Sequence, residues 1–114
     1  MTENERDARV GRNQSMFRAV NEGMRELNDG FASITRSEEY SIVCECADLG
    51  CTESVLIRRS DYGAVRGSPR QFVVIRAHVL PEVERVVSES DGYVVAEKFG
   101  EAAVVAEAVA PTQD

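Results

Sequence analysis

The chain has 114 residues, 43% of them apolar and 6% aromatic, with no tryptophan and a net charge of −7. That length accommodates one domain with a small core, and the apolar fraction excludes a wholly disordered chain. The acidic balance makes nucleic acid an unlikely partner, because phosphate binding needs a positive surface. No apolar run reaches the roughly 18 residues required to cross a membrane. The polar start MTENERDARV does not read as a signal peptide, so the expectation is a cytoplasmic protein.

The elements are predicted in chain order. A helix is expected over about 3–29: Thr2 and Glu5 have capping-box spacing, early acids suit the positive helix end, and Asn28-Asp29-Gly30 reads as the stop. Its apolar residues Phe17, Val20, Met24, Leu27, Phe31 and Ile34 recur in steps of three and four, and the same phase passes through Val10 and Asn13. Such a stripe needs a covering surface. One reading packs it on the protein's own sheet; the other pairs it with a second chain as a homodimer, with Asn13 as a polar register residue.

From Tyr40 the period changes. Tyr40–Cys44, Ser54–Arg58 and Gln71–Arg76 read as strands rich in β-branched residues. Ala47-Asp48-Leu49-Gly50 reads as a turn, and Ser60 as the cap of a short helix through Arg66. Val83–Val87 and Tyr93–Glu97 flank an Asp-Gly turn and suggest a hairpin, with a helix from Pro81 as the alternative. Residues 1–98 are expected to make one α+β domain, a long N-terminal helix packed on a small, mainly antiparallel sheet. Residues 99–114 are expected to be a frayed helix or a docked strand, disordered at the extreme end.

The chemistry concentrates in the cysteines. All three, Cys44, Cys46 and Cys51, fall within eight residues, and the sole histidine is His78. An odd count in a reducing compartment argues against a disulfide framework. Three thiolates and an imidazole complete a tetrahedral zinc shell. On a strand, Cys44 and Cys46 point the same way, Gly50 lets the chain bend before Cys51, and the third strand leads to His78. A structural zinc contributes roughly 10–16 kcal/mol in small peptides, more than the net stability of many domains. The expected site is therefore one zinc ion on Cys44, Cys46, Cys51 and His78. A variant leaves the fourth position to water or Asp48, as a catalytic zinc requires.

The chain also resembles a family of short bacterial proteins, mostly actinobacterial, without an established activity. The resemblance rests on Asn13, Phe17, Arg18, Val20 and Asn21, then on Cys44-Glu45-Cys46 with Cys51. It continues through Tyr62, Val65, Arg66, Pro69 and Phe72, and ends at a Gly-His pair in which Ala77 stands for the glycine. It covers about residues 5–98 and implies a zinc site.

Other candidates are weaker. Arg58, Arg59, Arg66, Arg70 and Arg76 face only Asp61 in sequence and read either as solvated faces or as a patch for an anionic ligand. Glu38-Glu39 and Glu82/Glu84 read as surface charges, and Tyr62, Phe72 and Tyr93 as core. No nucleotide-binding loop or catalytic triad pattern is present. The leading expectation is a zinc-stabilised regulatory or interaction module and not an enzyme. The rivals are a zinc/thiol redox switch and a small zinc hydrolase with an open site.

Overall fold

The computed structural model describes residues 3–35 and 38–109, and the side chains of residues 5–26, 38, 39 and 41–109. Helix α1 runs over Glu3–Thr35 and so continues past Gly30. A single helical glycine costs about 1 kcal/mol relative to alanine and does not by itself end a helix. Thr2, and the side chains of Leu27, Phe31 and Ile34, lie outside the described residues.

Strand β1 (Glu39–Val43) pairs antiparallel with β2 (Ser54–Arg58), with Val43 opposite Ser54. The β2 alternation is regular: Val55 and Ile57 point inward, while Leu56 is 61% exposed. Helix α2 (Arg59–Arg66) follows at once. Its cap position is Arg58, with no side-chain cap, so Ser60 lies inside the first turn instead of capping it.

Strand β3 (Gln71–Val74) ends two residues earlier than its apolar run suggests, because Arg76–His78 close into a 3-10 turn. Strands β4 (Glu84–Ser90) and β5 (Tyr93–Lys98) form the hairpin, joined through Asp91-Gly92. Gly92 has φ +85°, the left-handed value that this tight turn requires. The final stretch is helix α3 (Gly100–Ala108).

The second sheet has the order β3-β5-β4, so β5 lies in the middle and is buried on both faces. One face carries Val73, Tyr93 and Val95 against Ile42, Val55 and Ile57 of the first hairpin and Tyr62 and Val65 of α2. The other carries Phe72, Val74, Val94 and Ala96 against Ala106 of α3, with Cys44 and Cys46 in the same layer. The molecule is thus α+β, a long N-terminal helix against small antiparallel sheets. The cysteines form part of one core layer.

Among the described side chains of α1, the most deeply buried face is not the apolar stripe. Gly11, Gln14, Ser15, Arg18 and Asn21 are buried, whereas Val20 is 51% and Met16 is 59% exposed; Phe17 and Met24 are half-buried. The physical reason lies in what the helix meets: backbone carbonyls, a buried carboxylate and α3, not a bare apolar sheet. Gly11 allows close approach to α3, since a Cβ there would lie 2.9 Å from the Ala102 carbonyl oxygen.

Candidate metal centre

The loop between β1 and β2 carries Cys44, Cys46 and Cys51, and the 3-10 turn after β3 carries His78. Two backbone contacts bring these segments together. Glu45 N–H donates to the Val73 carbonyl at 2.8 Å, which lays the loop along the open edge of β3. His78 N–H donates to the Ile75 carbonyl at 2.8 Å, which turns the imidazole back towards the cysteines.

The ligand-type atoms of Cys44, Cys46, Cys51 and His78 all lie within 4.8 Å of one another. His78 Nδ1 is 3.5 Å from Cys44 Sγ and 3.6 Å from Cys51 Sγ. A tetrahedral zinc with Zn–S near 2.3 Å and Zn–N near 2.05 Å sets sulfur–nitrogen edges of about 3.6 Å and sulfur–sulfur edges of about 3.8 Å. Two of the three nitrogen edges match, and the other separations, none above 4.8 Å, exceed the tetrahedral edges by at most about 1.2 Å. All three cysteines are free thiols. The residues therefore could hold one metal ion.

Cys44 and Cys46 are buried, while Cys51 and His78 are half-buried, so the cluster has an inner and an outer side. Burial pushes both inner thiols up from their ordinary values. The Ile75 N–H, 3.3 Å from Cys44 Sγ, opposes that shift, as an amide donor to sulfur should. A dication bound there would supply the larger compensation that buried thiolates need. Asp48 is not in the clustered group; its Oδ1 accepts the Gly50 N–H at 2.9 Å, and its carbonyl accepts the Cys51 N–H at 3.0 Å. The turn is thus built by Asp48, and Gly50 needs no left-handed backbone.

Sequence reasoning named Glu45 as part of the Cys-Glu-Cys motif but gave it no role. Strand-like alternation sends its side chain away from the two flanking thiols, into complete burial. There the carboxylate accepts from Tyr62 Oη at 2.7 Å, Asn21 Nδ2 at 2.9 Å, the Val73 N–H at 2.9 Å and Arg66 Nη2 at 3.2 Å. Four donors on one carboxylate make its burial affordable. An acid between two cysteines was the only available signal.

Helix α1 also grips the backbone of this loop. Asn21 Nδ2 donates to the Val43 carbonyl at 2.8 Å, and its Oδ1 accepts the Val43 N–H at 2.9 Å. Gln14 Nε2 donates to the Glu45 carbonyl at 3.1 Å, and Asn13 Nδ2 to the Ala47 carbonyl at 3.0 Å. Asn13 therefore has a local partner.

A second buried pair corrects the reading of Glu84 as a surface charge. Glu84 and Lys98 are 2% and 1% exposed and form an ion pair. Glu84 also accepts from Gln14 Nε2 and the Leu80 N–H. Arg18, also buried, lies 4.6 Å over the Phe72 ring and donates to the carbonyls of Pro69 and Ala106. The second bond caps the end of α3, where carbonyls lack helical partners. Tyr62, Phe72 and Tyr93 are core, as expected.

The five arginines do not form one patch. Arg66 is buried against Glu45, Arg70 pairs with Glu107, and Arg76 pairs with Glu89 at 2.7 Å. Arg58 is exposed and Arg59 half-buried. Among the described residues, no helix is long and apolar enough to cross a membrane.

Compared with protein-family models, curated proteins and solved structures, the chain matches none of them. Membership of the actinobacterial family that it resembles gains no support from these comparisons, and the case for a functional site rests on the Cys3His geometry.

Proposed function

We propose that the protein is a small zinc-binding module in which one structural ion, held by Cys44, Cys46, Cys51 and His78, ties the first hairpin to the second sheet. Its role is regulatory or interaction-mediating in the cytoplasm, and not enzymatic. The observation that carries this reading is His78 Nδ1 at 3.5 and 3.6 Å from two sulfurs, the edges of a zinc tetrahedron. An imidazole in that corner favours a closed ligand set over the open position of a hydrolase. The test is metal analysis of the purified chain with thermal melts before and after chelation. One zinc per chain and a lower melting temperature after chelation are expected. A metal-free protein that melts as before would overturn the reading. His78→Ala separates closed from open sites: a structural ligand's loss weakens zinc binding at least tenfold, while an open site leaves it unchanged.

A second reading, the redox switch, is favoured by the half-buried position of Cys51 beside two buried thiols. Hydrogen peroxide would oxidise this outer ligand, and with a neighbouring thiol it would form a disulfide, expel the ion and release water. Zinc release to a chromogenic chelator at mild peroxide excess tests it, and no release rejects it.

A further inference from the structure

We propose that α1 is a positioning element of the metal centre, with Asn21 as its main positioning residue, so that metal occupancy and docking of α1 are one coupled equilibrium. This rests on the zinc reading above and adds the regulation of that site.

The argument begins with geometry. Three amide side chains of α1, at 13, 14 and 21, bind the backbone of residues 47, 45 and 43, in reverse order. Residues 13 to 21 advance about 12 Å along a helix, and residues 43 to 47 about 13 Å along an extended chain. The helix therefore runs antiparallel to the segment as a neighbouring strand would, matching every second residue. The bound residues are the odd ones. The even ones, Cys44 and Cys46, are left to face the metal position. The arrangement holds only while the segment stays extended with its thiols gathered on one side. A bound ion fixes that conformation, and its loss frees it.

The chemistry of the docked face makes the coupling strong. Gln14, Ser15, Arg18 and Asn21 are buried, and what they lose on undocking is chiefly hydrogen bonds that water can replace. Gly11 against Val105 and Arg18 on Phe72 and the Ala106 carbonyl hold α1 to the body in any case, whereas the bonds of Asn13, Gln14 and Asn21 to the segment depend on alignment of its carbonyls. The Glu45 carboxylate reinforces this, because it accepts from Asn21 on α1 as well as from Tyr62, Arg66 and the Val73 N–H of the body. The signal of an empty centre is thus a loosening of α1 along the residues that face the segment.

Cobalt(II) replaces zinc as a spectroscopic probe in the test. Asn21→Ala is compared with Asn13→Ala, and with Val65→Ala, which removes a side chain of the core layer that holds no cysteine. Asn21→Ala should weaken cobalt affinity by ten- to a hundredfold and alter the d–d spectrum at saturation. Asn13→Ala, which loses one outer bond, should weaken it severalfold, and Val65→Ala should leave both affinity and spectrum as in the wild type. In the wild type, cobalt should slow amide exchange along residues 11–21 at least tenfold. Wild-type affinity and spectrum in a folded Asn21→Ala protein would overturn the proposal. If that variant does not fold, an unchanged affinity in Asn13→Ala overturns it, as does α1 exchange indifferent to cobalt. A wild-type chain that takes up neither cobalt nor zinc refutes the zinc reading instead.

Discussion

Two glycines on α1 offer the same substitution in opposite surroundings. An alanine Cβ at Gly11 would lie 2.9 Å from the Ala102 carbonyl oxygen, 3.2 Å from Val105 Cβ and 3.3 Å from Val105 Cγ1. At Gly23 it would meet nothing within 4 Å. Both exchanges gain the same helix propensity, about 1 kcal/mol. That term cancels in the comparison and leaves the steric one. The contact at Gly11 is with backbone, which cannot swing aside, so α1 and α3 must separate or shift; such overpacking costs about 1–3 kcal/mol. Gly23→Ala should therefore stabilise by up to about 1 kcal/mol. Gly11→Ala should lie about 1–3 kcal/mol below it, a difference of roughly 4–12 °C in melting temperature for a domain of this size. Urea and thermal unfolding at one fixed zinc concentration measure this, since occupancy itself shifts stability. If Gly11→Ala proved as stabilising as Gly23→Ala, α3 would not lie against α1 as described, and the inward face of α1 would have to be reassigned.

Further expectations follow from the buried charges and thiols. Lys98→Met strands the buried Glu84 carboxylate and should cost about 3–5 kcal/mol in urea unfolding; adding Glu84→Gln should recover part of the loss, and an additive double mutant would contradict the pairing. Burial first, then the Glu45 charge, holds the Tyr62 hydroxyl above its ordinary range. Its folded value is raised, so its contribution to stability is intact below the ordinary phenol value near 10 and declines as pH climbs from there towards the folded value. Alkaline titration of phenolate absorbance should show Tyr62 ionising only above the other tyrosines or on unfolding. Because burial keeps Cys44 and Cys46 protonated to higher pH, metal loading must expel their protons. Zinc affinity should then rise with pH through neutrality, and calorimetry in buffers of different ionisation heat should register proton release; a pH-independent affinity would exclude thiolate ligation.

What could be read locally was read well where a short-range rule dominates. Strand β2 follows from alternation, and the Asp91-Gly92 turn from the demand for a positive φ at Gly92. The gathering of Cys44, Cys46, Cys51 and His78 follows from ligand type and spacing. The end of α1 did not, because Gly30 weakens a helix without stopping it. Nor did the end of β3, where Arg76–His78 turn and carry the imidazole to the sulfurs.

The inward face of α1 is the deeper case. Hydrophobic periodicity locates the apolar side of a helix, and it selects the buried side only when the partner surface is apolar. Here the partners are the backbone of residues 43, 45 and 47 and the Glu45 carboxylate for the amides at 13, 14 and 21, and the carbonyls of Pro69 and Ala106 for the guanidinium of Arg18. Glu45, Glu84 and Lys98 are unremarkable in sequence because burial of a charge depends on partners supplied by distant segments. Composition, period and ligand type belong to the chain itself, and they determined the α+β class and the metal-type cluster. Which polar groups are buried depends on the pairing of segments far apart in the chain, and only the tertiary structure decided that.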